Sequence, residues 1–266
     1  MSNILSPSMR VGQQLSECAM LEGAHSTVVL LAVKCLKRPR TELQRTRMTA
    51  RLLTLEKLRH PHIVRYYINS LDSNEVAITV IMEAWGVSVS SLIANKEHRG
   101  KQHVAMFAAQ VLRAIIGLHS VGIAHGDIKP GNILLGRDVY KLCDVDEEAT
   151  GTAYYMSQAR ARRHPCPSHE DTFSDTFALG MCVLEVLTGR QPYCELDSQC
   201  VVFARVCAGQ PPRSWSAQSR DAYDQCSDCL ISALIASDEI ADPQVARASP
   251  SELLALVQLL YSNNDL

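Results

Sequence analysis

Between His125 and Leu135 the chain reads His-Gly-Asp-Ile-Lys-Pro-Gly-Asn-Ile-Leu-Leu, and this run limits the possible folds more than any other stretch. Asp127, Lys129 and Asn132 place a carboxylate, an ammonium and a carboxamide in one short loop. Ile133, Leu134 and Leu135 then lead from it into an apolar strand. Any one of these polar groups alone could be an ordinary satisfied loop residue. Together, at this spacing, they are the set needed to orient a hydroxyl, offset anionic charge and hold a hard cation. Such a loop is useful only where a rigid scaffold fixes it. With 266 residues, 47% of them hydrophobic, the chain can bury a core of that kind.

The run resembles the catalytic loop of protein kinases, and further segments extend the resemblance along the chain. Phosphoryl transfer from ATP asks a protein for positioning and charge neutralisation rather than covalent chemistry. By this resemblance Asp127 and Lys129 are the catalytic pair: Asp127 orients the acceptor hydroxyl and takes its proton, while Lys129 offsets charge on the moving phosphate. Asn132 is implied as a magnesium ligand through its amide oxygen. Lys141-Leu142-Cys143-Asp144-Val145-Asp146 stands where the family carries Asp-Phe-Gly, which makes Asp144 the other metal ligand. Gly151-Thr152-Ala153-Tyr154-Tyr155-Met156-Ser157 resembles the substrate-docking segment. Ser174 to Gly180 resembles the start of the long buried helix whose aspartate, Asp175 here, braces the catalytic loop. Ala32-Val33-Lys34 ends an apolar strand, and Lys34 matches the lysine that grips the α- and β-phosphates.

The resemblance covers roughly residues 21 to 260 and implies an α+β, two-lobed protein-kinase-like fold. Its boundaries read as an N-terminal extension over 1–20, a reduced β-rich N-terminal lobe over 21–85 and a helical C-terminal lobe over 86–266. The strand Val76 to Met82 runs into Glu83-Ala84-Trp85-Gly86, the expected hinge. The nucleotide pocket is then expected among Gly23, Val28, Ala32, Lys34, Met82, Glu83, Trp85 and Leu134, with ATP and Mg2+ as the implied cofactors. Val104 to His119 is helical by periodicity, with Phe107, Val111, Leu112, Ile115 and Leu118 on one stripe. His60-Pro61-His62-Ile63-Val64-Arg65-Tyr66-Tyr67 and the Gly-Thr-x-Tyr-Tyr-Met-Ser pattern look most like NIMA-related or Ste-type serine/threonine kinases. Lys129 and Thr152 are markers of the serine/threonine type in that family.

Four departures bear on whether the site turns over. First, of the three glycines in the phosphate-covering loop only Gly23 remains, and Val28 to Lys34 is too short for two strands and a turn. A strand of the N-terminal sheet is therefore expected to be lost or merged. Second, Arg51 falls where the family places the glutamate that holds the lysine, and at 100° per residue neither Glu42 nor Glu56 shares its face. Like charge there would push Lys34 away unless phosphates lie between them. Third, the segment from Asp144 to Ser157 is short, and Gly126 replaces the arginine that answers an activation-loop phosphate, so control by loop phosphorylation is not expected. Fourth, Gln158-Ala159 replaces Pro-Glu, which removes the buried carboxylate partner of Arg247. The acidic run Asp144, Asp146, Glu147 and Glu148 reads as a solvated turn, with tighter magnesium binding as the sharper alternative.

A net charge of −2 gives no electrostatic case for nucleic acid or an anionic membrane, and the kinase resemblance implies a protein substrate or binding partner. No apolar run approaches about 18 residues, and Met1 to Glu17 lacks a signal-peptide pattern, so the chain reads as intracellular and cytoplasmic. The ten cysteines then read as free buried thiols, and the lone Cys226-x-x-Cys229 pair as no zinc site. His103 and His119 read as core histidines; Trp85, Trp215 and the basic stretch Arg160 to His164 are conceivable docking features, with a structural or solvated role favoured for each. Three functions fit: a slow serine/threonine kinase, a pseudokinase scaffold, or a small-molecule phosphotransferase. The intact reacting groups favour the first. The docking segment and the Asp175 helix disfavour the last.

Overall fold

The N-terminal region is built on one long apolar strand. The computed structural model describes residues 17–22, 28–37, 41–70, 77–96, 101–145, 151–163, 172–215, 225–236 and 249–261. Strand β1 (Glu17–Glu22) pairs antiparallel with β2 (Val28–Lys37), whose ten residues run unbroken through Lys34. Helix α1 (Glu42–Lys57) follows, with its N-terminus capped by the Thr41 hydroxyl. Then come β3 (Tyr66–Ser70) and β4 (Ala77–Glu83). The four strands form an antiparallel sheet in the order β1-β2-β4-β3. The expected merger is seen in β2, which is one strand over the stretch judged too short for two. Among the described residues the sheet starts at Glu17, inside the stretch 1–20 expected as an N-terminal extension.

The remainder is mostly helical. A small sheet of β5 (Val87–Ser88), β6 (Ile133–Gly136) and β7 (Val139–Leu142) takes the end of the catalytic run, Ile133 to Leu135, as its central strand. Around it lie α2 (Val89–Ala94), α3 (Lys101–His119), α4 (Gln158–Arg163), α5 (Thr172–Thr188), α6 (Gln199–Cys207), α7 (Gln225–Ala236) and α8 (Pro250–Tyr261). The α3 stripe is core as the periodicity requires: Phe107, Val111, Leu112, Ile115 and Leu118 are all buried. Full burial of such side chains is worth about 1.5 to 3 kcal/mol each. Leu179 and Val183 of α5 and Leu230 and Leu234 of α7 extend that core. No helix among the described residues is long and apolar enough to cross a membrane.

The join between the two regions is strapped by side chains. Lys141 of β7 donates to both carboxylate oxygens of Glu83 at 2.8 Å and lies 3.8 Å from the centre of the Trp85 ring. Trp85 Nε1 donates to the Val139 carbonyl at 3.0 Å. Gly86, at φ +29°, passes so close to β6 that a Cβ would lie 1.8 Å from the Leu135 carbonyl oxygen. Only glycine fits that approach.

Candidate active site

The catalytic run folds as a loop, a single 3-10 turn at Pro130–Asn132 and then β6. Pro130 suits the first position of that turn because its missing N–H has no partner there to lose. The loop is held from below by Asp175 on α5, which is 1% exposed. Its carboxylate accepts from the His125 amide at 2.9 Å, the Gly126 amide at 2.8 Å and His119 Nε2 at 2.9 Å. Burial pushes the Asp175 pKa up, but the His119 hydrogen bond, the neighbouring histidines and the Gly126 amide outweigh it and hold the value below 3.8. The expected brace is therefore present. His119 belongs to it, which corrects the reading of this residue as a bland core histidine. A lone histidine near a helix end carries no local sign of a partner 56 residues away.

Asp127 sits in a closed polar cluster. Its Oδ2 accepts from Lys129 Nζ at 2.6 Å and from Asn132 Nδ2 at 3.3 Å, and its Oδ1 accepts from the Thr152 hydroxyl at 2.7 Å. Lys129 Nζ also donates to Thr152 Oγ1 at 3.1 Å, which ties the docking segment to the loop. A carboxylate offers about four lone-pair positions, so these donors orient Asp127 without exhausting its capacity to accept a proton. Asn132 spends its Nδ2 on Asp127, with a further bond to the Asp127 carbonyl at 2.9 Å, and keeps its amide oxygen for another partner.

Lys34 is 4% exposed at its side chain and meets Asp144 Oδ1 at 2.9 Å. Asp144 is 39% exposed and adopts φ +63°, a left-handed conformation that non-glycine residues hold only where the surroundings impose it. The segment is tied to the catalytic loop. The Cys143 amide donates to the Asn132 carbonyl at 3.0 Å, and the Cys143 carbonyl meets His125 Nε2 at 2.9 Å. Arg51 faces this site, as its helical phase requires. It donates to the carbonyls of Val145 and Ala124. Buried Val145 gives an amide hydrogen bond to the Tyr66 hydroxyl at 3.0 Å, so polar contacts stand where the family has aromatic packing.

A magnesium ion here would be offered hard oxygens: the Asn132 amide oxygen and the Asp144 carboxylate. Magnesium is held by one or two such protein groups together with substrate phosphates rather than by an all-protein cage. Accordingly, no cluster of three or more His, Cys, Asp or Glu residues suited to a metal occurs among the described residues. These residues fit the ion.

The other expected pocket residues are placed as follows. Ala32 and Met82 face each other across β2 and β4, and both are buried. Leu134 is buried in β6 opposite Lys141. Val28 pairs with Glu22 in the β1–β2 ladder. Glu83 and Trp85 use their side chains on the hinge strap, and the Glu83 amide donates to the Arg65 carbonyl at 2.8 Å. Gly23, Asp146, Glu147, Glu148 and Arg247 lie outside the described residues.

The expectation for the cysteines needs correction, while of the structural and solvated roles expected for it Arg160 takes the structural one, at 7% exposed. It packs where a Cβ on Gly126 would lie 3.1 Å from its Nη2, and where one on Gly151 would lie 3.2 Å from its Nε. Two glycines at φ +79° and +82° make the room for it. The thiols are less uniformly buried than expected: among the described residues Cys182 is buried, but Cys194, Cys200 and Cys229 are exposed.

Known proteins place the chain. A family profile described as Protein kinase domain matches residues 17–239. Cell division control protein 7 of Schizosaccharomyces pombe is 29% identical over 230 residues, which cover 80% of this chain and 21% of that protein. The MAP kinase kinase MKK1/SSP32 of Saccharomyces cerevisiae is 31% identical over 198 residues, covering 68% of this chain and 37% of that protein. Serine/threonine-protein kinase SSK22 of the same yeast is 27% identical over 234 residues, covering 76% and 17%. The chain spans well under two thirds of the length of each relative.

Proposed function

Since the chain belongs to the protein kinase family, we propose that it is a working serine/threonine kinase domain that transfers the γ-phosphate of Mg-ATP to a protein hydroxyl. The observation that carries this reading is the cluster of Asp127 with Lys129, Thr152 and Asn132. It holds the proton acceptor, the charge-offsetting lysine and a metal-type amide in one hydrogen-bonded set. Mg2+ bound with ATP supplies charge neutralisation between the phosphates. This chain's residues do the rest. Lys34 holds phosphate oxygens, and Asn132 and Asp144 offer the ion their oxygens. Asp127 turns the acceptor hydroxyl in line and takes its proton, while Lys129 stabilises the charge that develops. The departures at the phosphate-covering loop predict slow turnover, since errors of about 1 Å in placement cost about a hundredfold in rate. The replacement of the loop arginine by Gly126 supports activity that does not depend on activation-loop phosphorylation.

A second reading, a nucleotide-poor pseudokinase scaffold, draws on the direct Lys34–Asp144 ion pair, which occupies one oxygen of the metal-type carboxylate. One experiment separates the two. The protein is incubated with Mg2+, γ-labelled ATP and a degenerate serine/threonine peptide pool, beside Asp127→Asn. The kinase reading expects label in peptide from the parent protein only, with nucleotide affinity nearly equal in both. Transfer that persists in Asp127→Asn overturns the assigned base. No transfer by either protein favours the scaffold.

A further inference from the structure

Arg51 reaches from helix α1 to two backbone carbonyls in different parts of the chain. Its Nε donates to the Val145 carbonyl at 2.5 Å and its Nη2 to the Ala124 carbonyl at 2.8 Å. Val145 follows Asp144, and Ala124 precedes His125 and the catalytic loop. A guanidinium presents its donors in a rigid planar fork, so it can hold two acceptors at a set separation, which a lysine ammonium on a flexible stem cannot.

The placement matters because of what lies between the anchors. Asp144 stands at φ +63° and needs both neighbouring peptides fixed to stay there. On the upstream side Cys143 is tied to Asn132 and His125. On the downstream side Val145 is held at its amide by the Tyr66 hydroxyl and at its carbonyl, one peptide further on, by Arg51. Strand β3 and helix α1 therefore hold Val145 while the catalytic loop holds Cys143, and Arg51 is the link that α1 contributes.

We infer that Arg51 is a positioning residue: a strut from helix α1 to the Ala124 and Val145 carbonyls that keeps the Asp144 carboxylate presented to Lys34 and to a divalent cation. It joins the helix to the metal-bearing loop through backbone acceptors, where the family joins it to the lysine through a carboxylate. Docking of α1 and cation binding at Asp144 are then one linked equilibrium. If α1 withdraws, the Val145 peptide loses its hold and Asp144 relaxes out of its left-handed state. The inference rests on the Mg-ATP reading for its functional consequence, though not for the geometry.

The test uses the full chain with Arg51→Lys and Arg51→Gln. Arg51→Lys keeps the charge but lacks the planar fork with which Arg51 meets the two carbonyls. Two readouts are taken. Amide hydrogen exchange at Val145 and around Ala124 is measured without nucleotide, and the Mg2+ concentration that half-saturates Mg-dependent ATP binding is measured beside affinity for metal-free ATP. The strut expects faster exchange at both places in both variants. It also expects about a tenfold or greater rise in the Mg2+ requirement, the size usual for residues that orient a metal ligand, with metal-free ATP affinity changed less than the Mg2+ requirement. Unchanged exchange at Val145, or an equal loss of affinity with and without Mg2+, overturns it. If the parent protein shows no Mg-dependent binding, the kinase reading fails on its own account, and the exchange result still decides the strut.

Discussion

Replacing Asp175 by Asn should be strongly destabilising although the change is isosteric. The carboxylate is 1% exposed and serves three donors: the His125 amide and His119 on Oδ2, and the Gly126 amide on Oδ1. An asparagine can keep an oxygen in place of Oδ2, but its NH2 then faces the Gly126 N–H, donor against donor. Stranding one buried amide costs about 2 kcal/mol. The two remaining bonds lose charge assistance, at about 1 kcal/mol each. The sum is about 4 kcal/mol, or about 8 to 16 °C in melting temperature for a chain of this size. Because the folded pKa of Asp175 lies below 3.8, its contribution is present above the unfolded value and is lost as pH falls through the folded one. The difference between parent and variant should therefore shrink in acid. Urea unfolding of both proteins at neutral pH and at about pH 3.5 measures it, the lower pH being chosen near the unfolded carboxyl range. A neutral-pH difference below about 1 kcal/mol, or one that grows in acid, refutes a charged brace.

Two further changes probe the surroundings. Gly126→Ala puts a side chain at φ +79°, with its Cβ 3.1 Å from Arg160 Nη2. It should cost about 1 to 2 kcal/mol of stability by urea titration, and Arg160→Ala in the same background should recover only the steric share. Burial raises the Glu185 pKa above 4.5 despite the lowering effect of the Tyr155 hydroxyl. The folded state thus holds that proton more tightly, and stability falls as pH rises through the window above 4.5. Glu185→Gln should flatten this part of the pH–stability curve, as read by thermal unfolding across it.

What could be read from the sequence, and what could not, divides along the length of the interactions. The catalytic run was legible because its chemistry lies within eleven contiguous residues, and the α3 stripe because helical periodicity is local. Arg51 was placed on the site-facing side of its helix by the same periodicity, but its acceptors are backbone carbonyls 73 and 94 residues away, which carry no residue-type signal. Lys34 likewise finds Asp144 at a separation of 110 residues. Which of the structural and solvated roles Arg160 takes was not legible for a related reason. A run of basic residues is solvated on average, and its burial depends on Gly126 and Gly151 leaving space, a property of two distant turns. The hinge strap of Glu83, Trp85 and Lys141 joins β4 to β7, and each residue looks ordinary in its own stretch.

The central claim is that Lys34, Asn132 and Asp144 form a Mg-ATP site. Thermal unfolding with and without Mg-ATP tests it most directly. Binding at a hundred times the dissociation constant should add about 2.7 kcal/mol of stability, seen as a rise of several degrees that requires Mg2+ and disappears in Asp144→Ala. No shift at millimolar Mg-ATP, or an equal shift in Asp144→Ala, would contradict it.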